Sequence, residues 1–413
     1  VTTKAKLDWR GRRLDVEVGP VAHGGHCVAR YEGRVVFVRH ALPGERVIVQ
    51  VTEDKGGSFC RGDAVEIITA SPDRVEPPCP LAAPGSCGGC DWQHASGEAQ
   101  RQLKASVVAE HLAKATGTDV PVVVEELTGG LLEWRTRIRM AVDRDGIPGF
   151  RAHRSHTVVP VGHCPITVPG LVESVAGQEF KPGSELEMVR DGAGRINVRQ
   201  VSKPSPGYGR RRSPITRAYL TGDGSASEFA AGRHWDFDAY NFWQIHPAAA
   251  DTLAGVVAEW AEASPGACAW DLYSGVGLFA SVLAEQVGSS GLVWAVEYIQ
   301  AASDATRMLS DLTQVKVLAL PVEGALERDK LEGPDPEVVV LDPPRTGAGH
   351  EVVDQIAARR PARVIYVACD PAALGRDVAR FLQHGYRLEL VRAFDAFPMT
   401  HHVEAVALLT PGA

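Results

Sequence analysis

The sequence predicts a multidomain α/β protein, and three observations carry that expectation. Residues 7–70 read as short strands separated by glycine and proline turns, the pattern of a small β-barrel. From about Phe237 the rhythm changes, and apolar strand-like runs alternate with helical stretches, as in a parallel sheet covered on both faces. Between these regions, residues 131–235 show broken alternation and many turns, which reads as irregular α+β. The expected division is a barrel at 1–76, a central domain at 77–235 and a doubly wound domain at 236–413. A chain of 413 residues with 45% hydrophobic content is long enough for two or three cores.

In chain order, the barrel strands are expected at Leu14–Val18, Val35–Val38, Arg46–Val51 and Ala64–Thr69. His23-Gly24-Gly25-His26 reads as a turn. A linker from Ser71-Pro72 to Pro77-Pro78 leads into a cysteine-rich loop and a helix near Gly97–Ala115, where Leu103, Val107, Val108 and Leu112 share a face. Ser202–Ser213, with Lys203, Arg210, Arg211 and Arg212, reads as a basic loop, either a contact for phosphate or a solvated charge run. Five apolar runs then mark a sheet: Cys268–Tyr273, Leu292–Tyr298, Val315–Leu320, Val338–Leu341 and Val364–Ala368.

Composition excludes some classes. No apolar run approaches the roughly 18 to 20 residues that span a bilayer, and the polar N-terminus lacks an apolar signal segment. A cytoplasmic protein without membrane contact is expected, with a monomer as the default. The net charge of −8 argues against a uniformly basic nucleic-acid binder, but residues 100–220 carry +6 and residues 221–413 carry −13. A basic middle on an acidic C-terminal half suits a polyanion lying over a site for a cationic cofactor. Eight cysteines in such a chain are expected to be reduced, metal-bound or catalytic rather than paired.

Ligands of a doubly wound sheet lie at the C-terminal strand ends. Asp271-Leu272-Tyr273-Ser274-Gly275-Val276-Gly277-Leu278-Phe279 is a strand ending in a glycine turn that opens a helix. Glu297 ends the next strand, where a carboxylate can accept from both hydroxyls of a ribose. Gly275, Gly277 and Ala280 also fit G-x-G-x-x-A, so the glycines alone do not separate a nicotinamide cofactor from S-adenosylmethionine. Asp342-Pro343-Pro344 adds a carboxylate on a stiff loop, suited to a flat heterocycle with an N–H. Cys369 leaves an apolar strand at the same rim, and Glu404 follows in His402-Val403-Glu404: a nucleophile and a base. Arg345 or a helix N-terminus could activate the thiol. Cys79, Cys87 and Cys90 have metal-ligand spacing, with Cys164 as the leading fourth ligand, for an iron–sulfur cluster or for zinc. Cys27, Cys60 and Cys268 read as apolar fillers.

Taken together, Cys87-Gly88-Gly89-Cys90-Asp91-Trp92-Gln93-His94, Phe242-Trp243-Gln244, Asp271–Phe279, Leu341–Arg345, Ala368–Pro371 and His402-Val403-Glu404 resemble the RNA uracil-C5-methyltransferase family. The resemblance is to members with an N-terminal TRAM domain and a 4Fe-4S cluster, and it covers essentially the whole chain. It implies an OB-like barrel that grips RNA, a central iron–sulfur domain, and a Rossmann-like methyltransferase domain with a seven-stranded, mainly parallel sheet. It also implies that Cys369 adds to C6 of a uracil, that Glu404 removes the C5 proton, and that Asp342 contacts the edge of the flipped base. Gln244, Asp271, Tyr273, Gly275, Gly277, Glu297 and Asp342 would surround S-adenosylmethionine and the base; Cys79, Cys87, Cys90 and Cys164 would hold the cluster. Ribosomal RNA is favoured over transfer RNA, with 23S rRNA in first place.

Two departures stand out. His246 falls where the family has Asn, and the gap between Cys79 and Cys87 is longer than the family spacing. Two other readings stay open. One is methylation at another position, a tRNA uridine or a ribose 2′-oxygen, which His246 motivates. The other is a non-catalytic RNA-binding relative.

Overall fold

The computed structural model describes residues 8–202, 215–327 and 329–412. The expected basic loop lies almost wholly outside them: Lys203, Arg210, Arg211 and Arg212 are not described.

Residues 8–70 contain a six-stranded sheet of β1 (Arg13–Glu17), β2 (Val21–Ala22), β3 (His26–Tyr31), β4 (Arg34–Arg39), β5 (Arg46–Asp54) and β6 (Phe59–Thr69). Its order is β1-β5-β6-β4-β3-β2. Bonds from Gly19 to Val28 and from Val28 to Pro20 join the chain after β1 to β3 and curl the sheet on itself. Alternation does the sorting: Leu14 and Val16 of β1 and Val47, Val49 and Val51 of β5 point inward, with Cys27 and Cys60, while the residues between them face outward.

Helix α1 (Gly97–Thr116) is capped by Ser96, whose hydroxyl accepts from the Ala99 N–H, and ends at Gly117 in a left-handed turn. It is a splice between two cores. Ala99, Leu103 and Val107 pack into the barrel, and Val108 and Leu112 into the C-terminal sheet.

After β7 (Val124–Glu126), the middle of the chain is a second six-stranded sheet. It contains β8 (Arg137–Val142), β9 (Pro148–Arg151), β10 (Val158–Pro160), β11 (Glu185–Arg190), β12 (Ile196–Ser202) and β13 (Thr216–Thr221). The order is β10-β9-β8-β11-β12-β13, antiparallel throughout. The expected α+β mixture is thus mostly strand, with a short helical turn at Glu173–Val175. A hairpin follows, β14 (Ser225–Ala230) and β15 (Arg233–Asp238), and its Trp235 and Phe237 join the C-terminal core. The expected boundary at 235/236 therefore falls inside β15.

The C-terminal region runs α2 (Ala249–Ala261), β16 (Cys268–Leu272), α3 (Leu278–Val287), β17 (Leu292–Glu297), α4 (Ile299–Met308), β18 (Val315–Ala319), α5 (Val322–Glu327), β19 (Val338–Leu341), α6 (His350–Ala358), β20 (Arg363–Ala368), α7 (Pro371–Gln383), β21 (Tyr386–Asp395) and β22 (Glu404–Pro411). The sheet order is β18-β17-β16-β19-β20-β22-β21-β7. The expected seven strands need correction to eight. Seven come from this region, and Val124–Glu126 joins the far edge by pairing parallel to Ala393–Asp395. An otherwise open edge of β21 takes up any segment that α1 delivers to it. Both faces are covered by apolar clusters, with Ala269 on one side and Trp270 and Leu272 on the other.

Candidate active site

The strand order diverges at β16, with β17 on one side and β19 on the other, which opens a crevice at the C-terminal strand ends. A cavity of about 630 Å³ sits there. Four parallel strand ends contribute to it: Tyr273 and Gly275 after β16, Glu297 at the end of β17, Asp342 after β19 and Cys369 after β20. Glu404 joins by a different route. It begins β22, which runs antiparallel to β20, so its first residue reaches the same rim. Ala368 pairs with Ala405, so Cys369 and Glu404 sit one register step beyond, side by side.

Phe242, Ile245, Pro343 and Phe397 supply apolar walls, and Gln244, Arg345 and His402 complete the lining. Three carboxyl groups, Glu297, Asp342 and Glu404, thus face one guanidinium. This imbalance shows in their acidities. Burial, then the Asp342 charge, pushes Glu404 well above the carboxylate range, with Arg345 pulling the other way. Burial, then Glu297, raises Asp342. Burial also raises Glu297, although its oxygens accept the Gly275 and Tyr298 N–H groups at 2.7 Å each. The Cys369 thiol is pushed up to about 12 by burial, Glu404 and Asp342, which outweigh Arg345. The expected activation of the thiol by Arg345 is therefore incomplete in the free protein.

Two expected cofactor residues stand back from the cavity. Asp271 is fully buried behind the turn, where one oxygen accepts the Ala280 N–H at 2.7 Å and the other has no partner. Gly277 begins α3 with φ +99°, and a Cβ there would meet Leu309 Cδ1 at 2.5 Å. Its glycine serves helix packing rather than the cavity wall. Gly275, at φ +57°, has open space around its Cα and lines the cavity. His246 does not line the cavity either. Its Nδ1 accepts the Ala248 N–H before α2, and its ring stacks on Trp134 at 6.0 Å. Phe397 was not legible as a wall residue, because only the fold brings it to the rim.

Cys79, Cys87, Cys90 and Cys164 line one small pocket with Leu81, Phe150, Ile166 and the Arg135 side chain. All four thiols are free. Burial raises Cys87, Cys90 and Cys164, and the neighbouring sulfurs add to the rise. Among the described residues, no group of three or more His, Cys, Asp or Glu is drawn together so as to hold a metal ion. The four sulfurs are soft donors lining an apolar pocket beside the Arg135 guanidinium. No helix among the described residues is long and apolar enough to cross a membrane.

Residues 9–65 match the TRAM domain, and residues 325–411 match the tRNA (Uracil-5-)-methyltransferase family. An uncharacterized RNA methyltransferase of Streptomyces avermitilis is 44% identical, over 98% of this chain and 99% of its own. The 23S rRNA (uracil(1939)-C(5))-methyltransferase of Shewanella sediminis is 30% identical, over 96% of this chain and 95% of its own. The crystal structure of Pyrococcus abyssi tRNA (uracil-54, C5)-methyltransferase in complex with S-adenosyl-L-homocysteine shares the fold. Its TM-score is 0.70 at 22% identity, and the match covers 96% of this chain and 99% of that one. These full-length likenesses, on a chain whose sheet rim gathers a thiol and carboxyl groups, show that the protein belongs to the RNA uracil-C5-methyltransferase family, as an S-adenosylmethionine-dependent enzyme with an N-terminal TRAM domain.

Proposed function

We propose that the enzyme methylates C5 of a uridine in 23S rRNA, with Cys369 as nucleophile and Glu404 as base. The observation that carries this reading is the meeting of Cys369, Glu404, Asp342 and Glu297 in one cavity. The rRNA-modifying relative favours ribosomal over transfer RNA, and that substrate would put the work in the cytoplasm. Residues 1–76 would grip RNA, and residues 77–235 would carry the cysteine site.

S-adenosylmethionine, when bound, supplies the methyl group and a sulfonium cation. Glu297, which lines the cavity, would accept from its ribose, and the surplus of carboxyl groups would favour its charge. A uracil flipped from its stack fits between the apolar walls, with Asp342 and Gln244 at its polar edge. The Cys369 thiol gives its proton to a cavity carboxylate, and the sulfur bonds to C6. The C5=C6 electron pair moves onto the ring as an enolate, and C5 becomes the carbon that would accept the methyl group the bound cofactor would supply. Glu404 then takes the C5 proton, the C5=C6 bond returns, and the Cys369–C6 bond breaks. His246, which motivates the ribose reading, does not line the cavity: its Nδ1 accepts the Ala248 N–H and its ring stacks on Trp134.

The four cysteines would hold a 4Fe-4S cluster in a structural role, bracing the loop that carries Asp91. Elemental analysis of anaerobically purified enzyme tests this: iron with sulfide is expected, and stoichiometric zinc alone would overturn it. The methylation reading is tested with a 5-fluorouridine 23S transcript and S-adenosylmethionine. Fluorine at C5 blocks the last proton removal, so a covalent protein–RNA adduct is expected with wild type and not with Cys369→Ala. No adduct from wild type, or a methyl group mapped to ribose or to tRNA alone, would refute it.

A further inference from the structure

The catalytic pair is carried by the C-terminal sheet, but the backbone around it is held from the N-terminal half. Behind the nucleophile, Asp370 caps α7 by accepting the Ala373 N–H at 2.8 Å. Its other oxygen lies 3.2 Å from Nε2 of His23, in the barrel turn between β2 and β3. Behind the base, the segment from Asp395 to His402 joins β21 to β22. Lys104 Nζ donates to Asp395 and to the Phe397 carbonyl. Gln100 accepts the Met399 N–H at 2.7 Å. The Asp91 and Trp92 N–H groups donate to the Met399 carbonyl. The Asp91 carboxylate accepts the His401 N–H at 3.1 Å and lies 2.6 Å from His401 Nδ1.

These holds converge on one barrel turn. Gly25 sits so close to Asp91 and His401 that a Cβ would meet them at 3.1 and 2.9 Å, and its carbonyl accepts from Trp92 Nε1. His401 in turn touches His402, whose Nε2 is 3.4 Å from Arg345 in the cavity wall. A histidine–carboxylate contact therefore stands behind each reacting side chain, and the two have opposite polarity. The barrel gives the histidine behind Cys369, and the cysteine loop gives the carboxylate behind Glu404.

We infer that His23 and Asp91 are positioning residues that set the Cys369–Glu404 geometry, so the barrel and cysteine loop are working parts of the catalytic site as well as an RNA grip. The inference rests on the reading of Cys369 as nucleophile. Neither residue lines the cavity, so neither touches the uracil or the cofactor there. A misplacement of about 1 Å at a reacting pair costs up to roughly a hundredfold in rate.

The test is single-turnover adduct formation on a 5-fluorouridine 23S transcript, comparing wild type with His23→Ala, His23→Gln, Asp91→Ala and Asp91→Asn. Binding of S-adenosylmethionine and of RNA, and thermal unfolding, are measured alongside. Each alanine variant is expected to slow the adduct by roughly ten- to a hundredfold, with both affinities near wild type, and the Gln and Asn variants to regain most of the rate. If Asp91→Ala unfolds, the His23 pair carries the test. Alanine variants at wild-type rate, a loss matched by weaker RNA binding, or a loss explained by unfolding would overturn the inference while the nucleophile reading survives. No adduct from wild type would remove both.

Discussion

The acidity of Cys369 gives the sharpest test of the site. A thiol raised from 9.0 to about 12 holds roughly a thousandfold less thiolate near pH 8 than an ordinary one. Burial is the first cause, followed by the charges of Glu404 and Asp342, with Arg345 opposing them. The resting enzyme thus keeps its nucleophile silent until a carboxylate takes the proton. Iodoacetamide alkylation of the Cys369 peptide, followed by mass spectrometry from about pH 7 to about pH 10, reads this directly because only the thiolate reacts. The rate should climb about tenfold per pH unit across the whole range without a plateau. Arg345→Gln removes the cation that opposes the rise and should lower the rate near pH 8. A wild-type plateau below about pH 9, or an Arg345→Gln enzyme that reacts no slower, would refute this account of the site.

Four further outcomes follow from named contacts. Gly277→Ala drives a Cβ into Leu309 at φ +99° and should lower the melting temperature of the enzyme. Gly275→Ala meets open space at φ +57° and should cost only about 1 kcal/mol, but weaken S-adenosylmethionine binding in calorimetry. Lys104→Met leaves Asp395 buried without its cation and should destabilise by about 3–5 kcal/mol in urea, with Lys104→Met/Asp395→Leu recovering much of it. Burial pushes the Asp271 carboxyl from 3.8 to about 8, so the folded state keeps a proton that the unfolded chain releases. Stability from this group therefore falls as pH rises through that window, and Asp271→Asn should melt higher than wild type near pH 8 but not near pH 4.

The regions of the fold that were legible are those whose burial is uniform or strictly alternating, as in β1. Val338–Leu341 is buried at every position, and a strand covered on both faces leaves an unbroken apolar run that any window detects. β3 was missed because His26–Tyr31 begins with two buried residues in a row and its hairpin partner decides its register. The central sheet looked irregular for the same reason: Met140, Ala141 and Val142 are all buried at the end of β8, which hides the twofold period. The eighth strand is three residues long and exists only because β21 has an open edge.

The candidate site divides along similar lines. Glu297, Asp342 and Cys369 sit where a parallel strand ends, and the end of an apolar run is visible in sequence. Glu404 sits where an antiparallel strand begins, so no strand-end rule points to it; the sequence offered it as a base for Cys369, and only the fold brings it to the same rim. The anchors behind the pair are the least legible of all. Lys104 and Asp395 are 291 residues apart, and Asp91 and His401 are 310 apart. A buried Lys in a helix and an Asp after a cysteine each look like an ordinary surface residue until the fold removes their solvent. At that point an unpaired charge becomes costly enough to require its partner. The same cost makes the N-terminal half hard to separate from the catalytic one, since removing α1 would leave Asp395 buried alone at the start of the segment that delivers Glu404.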